Sequence, residues 1–149
     1  MPETMLAAAR HYRRVVGRRA VGTVLVCYWL LMFSLTHWPH MNLGNVPQNT
    51  DKVLHFTGNA GFGFLIALWV STKRKFGPRD FAAAFGVIFV YAIVDELTQP
   101  AFGRDCEFLD AVADWIGGLT GLSVFLLLRV ALRRVTRSEI ETPTHDVGM

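Results

Sequence analysis

Charged residues are scarce in this chain, making up 18% of its 149 residues, where a soluble domain carries roughly 25%. Between Arg19 and Asp51 there is no Asp, Glu, Lys or Arg at all. Cysteine is nearly missing too, with Cys27 in an apolar run and Cys106 in a polar stretch. Two such residues make neither a disulfide framework nor a metal motif. No H-E-x-x-H, G-x-S-x-G or phosphate-loop pattern is present, which removes the local signatures of zinc protease, serine hydrolase and nucleotide site. Strand-like alternation and internal repeats are lacking as well. The 13 Gly and 6 Pro are too few for a collagen-like or low-complexity chain.

What is there is apolar. Hydrophobic residues make up 52% of the chain, and its mean hydropathy is +0.31. Four apolar runs, at 20–38, 53–72, 81–99 and 111–132, match the roughly 20 residues that cross a hydrocarbon core about 30 Å thick. Breakers separate them: Pro39 and residues 42–49, then Gly77-Pro78, then residues 100–103. The expected fold is all-α, a four-helix transmembrane bundle. Residues 1–19 form a basic arm, 20–135 the membrane domain, and 136–149 a polar tail expected to be disordered. The first run has a basic lead-in but no small-x-small cleavage site near Trp38. It reads as an uncleaved signal anchor.

Orientation follows from the short basic segments. Arg10, Arg13, Arg14, Arg18 and Arg19 precede the first run, and Lys73, Arg74, Lys75 and Arg79 follow the second. Arg129, Arg133, Arg134 and Arg137 close the fourth. Four spans put all three groups on one side, so both termini are expected in the cytoplasm. That side then carries 13 Lys and Arg against five acids, while the other has only Lys52 and Arg104 against seven acids. The pI of about 9.2 is therefore a mark of orientation and of attraction to anionic headgroups. No nucleic-acid partner is expected.

The remaining polar residues sit where they are costly, since a charge at mid-span costs roughly 2.5–3.5 kcal/mol on the insertion scale. Topology gathers them at one boundary: Asp51, Lys52, His55 and Asn59 opening span two, and Asp95, Glu96 and Gln99 closing span three. Asp110 and Asp114 open span four, with Arg104 in the loop before it. Lys52, His55 and Asn59 are three and four apart and share a helix face. Asp110 and Asp114 share another, continued by Gly117 and Gly121, a small-xxx-small surface for close helix contact. Gly58, Gly61 and Gly63 give span two the same capacity. The acids therefore face the bundle interior.

These residues carry a pattern. Asp51-Lys52-x-x-His55-Phe56, then Asp95-Glu96-x-x-Gln99, Gly103-Arg104 and Asp110-x-x-x-Asp114-x-x-Gly117-x-x-x-Gly121 together resemble the VanZ-like family of bacterial membrane proteins. The resemblance covers residues 51–128, with the first span fitting by position. It implies four spans in the inner membrane. The family takes its name from an accessory factor that lowers susceptibility to teicoplanin. Its members often have Asn where this chain has Asp114.

Three readings of the cluster follow. In the structural one, Thr50 or Asp51 caps span two, Asp110 caps span four, and Lys52 and Arg104 pair with Glu96, Asp110 or Asp114 to hold helix ends together. In the binding one, Asp51, Lys52, His55, Asn59, Glu96, Gln99, Arg104, Asp110 and Asp114 form an outward-facing pocket. Its partners are membrane lipids or lipid-linked envelope molecules, with Lys52 and Arg104 meeting their anionic groups. Phe56, Phe102 and Phe108 line the apolar part. In the enzymatic one, His55, Glu96, Asp110 and Asp114 supply acid–base chemistry or hold a divalent metal. The binding reading is the one expected here, with no cofactor and no metal.

Overall fold

The computed structural model describes the backbone of residues 3–38 and 50–141, with side chains at residues 12, 15–38 and 50–136. Four helices follow one another: α1 (Glu3–Thr36), α2 (Thr50–Ser71), α3 (Pro78–Thr98) and α4 (Phe108–Glu141). A 3₁₀ turn, Gln99–Phe102, extends α3. Among the described residues there is no strand. Each helix holds a stretch long and apolar enough to cross a membrane: Val15–Thr36, Thr50–Ser71, Pro78–Phe102 and Phe108–Thr136. The expected all-α, four-span architecture is what the chain forms.

Helices α2, α3 and α4 begin at residues 50, 78 and 108, ahead of the apolar runs that mark them in the sequence. The reason is common to all three. Each has one acid in its first turn, Asp51, Asp80 or Asp110, where unpaired backbone N–H groups favour negative charge. A search for charge-free runs stops at these acids, but the helix does not. At α3, Pro78 occupies the first turn, its fixed φ suiting that position. The Asp80 carboxylate accepts from the Gly77 N–H at 3.0 Å and from Arg74.

The far ends differ from expectation in the same direction. α1 runs unbroken from the basic arm into the first span, and α4 continues to Glu141, so the expected disordered tail is helical over residues 136–141. The Pro39 and 42–49 connection and residues 142–149 lie outside the described residues.

Ala67, Ile88, Ala92 and Leu122 are fully buried at the centre, with Phe62, Phe76 and Phe125 beside them. Large apolar side chains such as Val24, Leu31, Val90 and Leu127 face outward, as lipid contact requires. The tightest contact joins α2 to α4. A Cβ on Gly117 would collide with the Phe56 carbonyl oxygen, and one on Gly121 with that of Ala60. A Cβ on Gly63 would come within 2.6 Å of the Gly118 carbonyl oxygen. Only glycine lets the two backbones meet this closely. α1 is held more lightly, with 6% of its apolar stretch buried against 28% in each of the others.

Gly121→Leu is expected to lower the melting temperature of the purified protein sharply, because overpacking costs about 1–3 kcal/mol or more. Gly86 has nothing within reach of an added Cβ. Gly86→Ala is expected to be neutral or stabilising by up to about 1 kcal/mol, read by thermal denaturation followed by circular dichroism.

Candidate functional site

The closing turn of α3 places Asp95, Glu96 and Gln99 on one face, because residues three and four apart are neighbours on a helix. Gln99 Nε2 donates to Asp95 Oδ2 at 3.3 Å and to Glu96 Oε1 at 3.1 Å. Across from them, α2 presents His55 and Asn59. Both reach the same oxygen of α4: His55 Nδ1 lies 3.1 Å from Asp114 Oδ1, and Asn59 Nδ2 donates to it at 2.5 Å. His55 Nδ1 is also 3.9 Å from Glu96 Oε1. All six of these residues are buried, none more than 3% exposed.

Asp110 is buried as well, one helical turn before Asp114. Lys52 bridges it to the loop, with Nζ 3.2 Å from Asp110 Oδ1 and 2.8 Å from Glu107 Oε2. The Glu107 N–H donates to Glu96 Oε2 at 3.0 Å, so the loop before α4 closes over the cluster. Arg104 takes a different partner from the ones expected of it. Its Nη2 donates to Asp51 Oδ2 at 2.8 Å, and its Nη1 to the Thr36 carbonyl at 3.1 Å. It ties the end of α1 to the start of α2 and does not contact Glu96, Asp110 or Asp114. The left-handed Gly103 (φ 77°) turns the chain out of the 3₁₀ turn, and the Arg104 N–H bonds back to the Gln99 carbonyl at 3.3 Å.

The geometry therefore gathers His55, Asn59, Glu96, Gln99, Asp110 and Asp114 inside the bundle, with Asp51, Lys52 and Arg104 at its rim. Phe102 packs edge-on against His37 at 4.8 Å between ring centroids, and Phe108 against Trp115 at 6.1 Å.

Six participants were not among the expected binding residues, although Asp95 stood at the same boundary in the sequence. Asp95, next to Glu96, accepts from Tyr91 Oη at 2.9 Å and from Thr36 Oγ1 at 3.2 Å. His37 is buried, stacked on Phe33 at 3.9 Å, with Nε2 2.8 Å from Thr98 Oγ1. Glu107 completes the six. Tyr91 stands four residues before Asp95, a helical neighbour that spacing reveals. Thr36 and His37 break the apolar run at its end, which was the visible signal.

Asp95, Glu96 and Asp114 have no Lys or Arg within ion-pair distance among the described residues; the basic side chains within 4.0 Å of them there are the imidazoles of His37 and His55. The cluster is rich in acceptors and poor in positive charge.

Beside it, α1 and α2 enclose a groove of about 400 Å³ lined by Tyr28, Leu31, Met32, Leu35, Leu54, Thr57 and Gly58, with Asp51 at its edge. Tyr28 Oη donates to the Gly58 carbonyl at 2.8 Å. The groove is apolar along its length and meets the Asp51–Arg104 pair at one end.

A double-mutant cycle on Arg104→Ala and Asp51→Ala is expected to give a coupling of about 1 kcal/mol or less, because partly exposed pairs are worth little. Thermal melts of the four proteins measure it. A coupling several times larger would make this pair a principal stabiliser of the fold.

A family model described as VanZ/LLP1 matches residues 20–129, a range that takes in every buried member of the cluster. No curated protein and no solved structure matches the chain.

Proposed function

The chain belongs to the VanZ/LLP1 family, and from this premise we propose that it binds an amphiphile of the cell envelope without covalent chemistry. The carrying observation is the apolar α1–α2 groove ending at a charged rim. A hydrocarbon tail suits Leu31, Met32, Leu35 and Leu54, and an anionic or zwitterionic headgroup suits Arg104 and Lys52. Arg104 uses two of its N–H groups on Asp51 and Thr36, and a guanidinium has five. The remainder are free to fork onto a phosphate or carboxylate. Lys52 keeps 28% of its side chain exposed, enough to add a point charge.

The short basic segments support a rim facing the outer side of the inner membrane, where lipid headgroups, lipid-linked precursors and lipoglycopeptides are met. Lowered glycopeptide susceptibility, the property behind the family name, would follow from capture of a lipoglycopeptide at this site.

Native mass spectrometry of the detergent-purified chain tests the proposal, with phosphatidylglycerol as the anionic probe and phosphatidylcholine as the zwitterionic one. Wild-type protein is expected to retain lipid, with the anionic probe preferred. Leu54→Trp fills the groove and should weaken retention of both by about tenfold, or about 1.4 kcal/mol. Arg104→Gln should remove the preference between headgroups. Unchanged retention in both variants would reject the groove. Turnover of a lipid-linked substrate that disappears in Glu96→Gln would establish the enzymatic reading instead.

A further inference from the structure

His55, Asp95, Glu96 and Asp114 each offer one ligand atom, and these atoms all lie within 4.8 Å of one another. They come from α2, α3 and α4, so the group exists only once the bundle has assembled. His55 Nδ1 faces Asp114 Oδ1 at 3.1 Å and Glu96 Oε1 at 3.9 Å. Three carboxylates this close, out of water, repel one another unless positive charge or protons intervene.

The neighbouring amides indicate which. Asn59 and Gln99 are fully buried against these carboxylates. Asn59 Oδ1, Gln99 Oε1 and Asp114 Oδ2 are buried without a hydrogen-bond partner among the described residues. Protonating a carboxyl supplies one donor, too few for three orphaned acceptors. A cation among the carboxylates serves several oxygens at once, the amide oxygens only if the amides, which now direct N–H groups at the carboxylates, turn over. Turning either amide about its terminal bond would also direct its oxygen at the carboxylates' shared centre, since amide N and O exchange places without moving the rest of the side chain.

We propose that His55, Glu96 and Asp114, with Asp95 as a fourth donor, bind a divalent first-row transition-metal cation, Mn²⁺ or Zn²⁺. An all-carboxylate set would favour Mg²⁺ or Ca²⁺, and the imidazole shifts the preference toward the transition metals. Donors around a tetrahedral ion at about 2.1 Å lie about 3.4 Å apart, so the widest-set pair closes by up to about 1.4 Å when the ion binds. The surrounding bonds fit an outer shell: Tyr91 and Thr36 donate to Asp95, and the Glu107 N–H to Glu96. His55 lies five residues into α2, or about 7.5 Å along its axis, within reach of the aqueous boundary. The proposal does not rest on the amphiphile groove, which is lined by other residues.

The test uses the full chain in detergent, stripped with chelator and titrated with MnCl₂ or ZnCl₂, the bound ion counted by elemental mass spectrometry. Wild-type protein is expected to bind a single ion per chain. Asp114→Asn and His55→Gln, each close in shape to the original, should weaken binding by at least about tenfold. Gln99→Ala should weaken it by about 10–100-fold, as outer-shell losses do. Asp105→Asn, at an exposed position, should leave it unchanged. Helicity and gel-filtration profile report whether each variant folds. If Asp114→Asn or His55→Gln does not fold, electron spin echo spectroscopy of wild-type protein with Mn²⁺ decides, because imidazole ligation gives a nitrogen modulation. Absence of that modulation, absence of binding by folded wild-type protein, or wild-type affinity in the two folded variants would each overturn the site.

Discussion

Everything at the polar end of this bundle depends on the backbones of α2 and α4 touching. Gly117 lies under the Phe56 carbonyl and Gly121 under that of Ala60, so the two helices are locked in one register along four residues of each. That register sets His55 and Asn59 opposite Asp114, close enough for both to reach one carboxylate oxygen. In lipid there is little hydrophobic gain from bringing helices together, so close van der Waals packing and interhelical hydrogen bonds do the work. Glycine and the polar cluster are therefore two parts of one device. The first permits the approach, and the second gives it direction.

A cost comes with this arrangement. Asp95, Glu96, Asp110 and Asp114 are all buried, and among the described residues only Asp110 of these has a lysine beside it. A structural role for the cluster is served by hydrogen bonds from Gln99, Asn59, Tyr91 and Thr36, which neutral side chains could make to one another. An excess of buried carboxylates adds repulsion that such a role does not need. Ionisable groups at membrane depth that are not paired off belong to function more often than to architecture.

α1 stands apart from this core. Its polar ties are concentrated at one end: Thr36 to Asp95, the Thr36 carbonyl to Arg104, and His37 to Thr98. Below them, among the described residues, Tyr28 bonds to the Gly58 carbonyl of α2, and apolar side chains line much of the remaining contact. A helix fixed at one end and lightly packed along its length leaves a groove at its side. The same residues that close the end of the bundle thus define the entrance to that groove.

Charge-free runs were enough to find four membrane helices, because a hydrocarbon core tolerates few charges and demands a minimum length. The start of each of α2, α3 and α4 was hidden, since an acid in a first turn looks like a boundary in sequence and is a stabiliser in the helix. Helical spacing also located the faces that carry His55, Asn59, Glu96, Gln99, Asp110 and Asp114, as periodicity is a local property. Partner choice was not local. Arg104 meets Asp51 and Thr36 because the turn at Gly103 aims it there, and Lys52 meets Asp110 because the glycine contact brings α2 and α4 together. Thr36 and His37 join the cluster only because the end of α1 lies against α3, whereas Tyr91 meets Asp95 within α3. The sequence alone determined the spans and the faces; which side chains meet across them was decided by tertiary packing, because it depends on distances between helices that no spacing along one chain encodes.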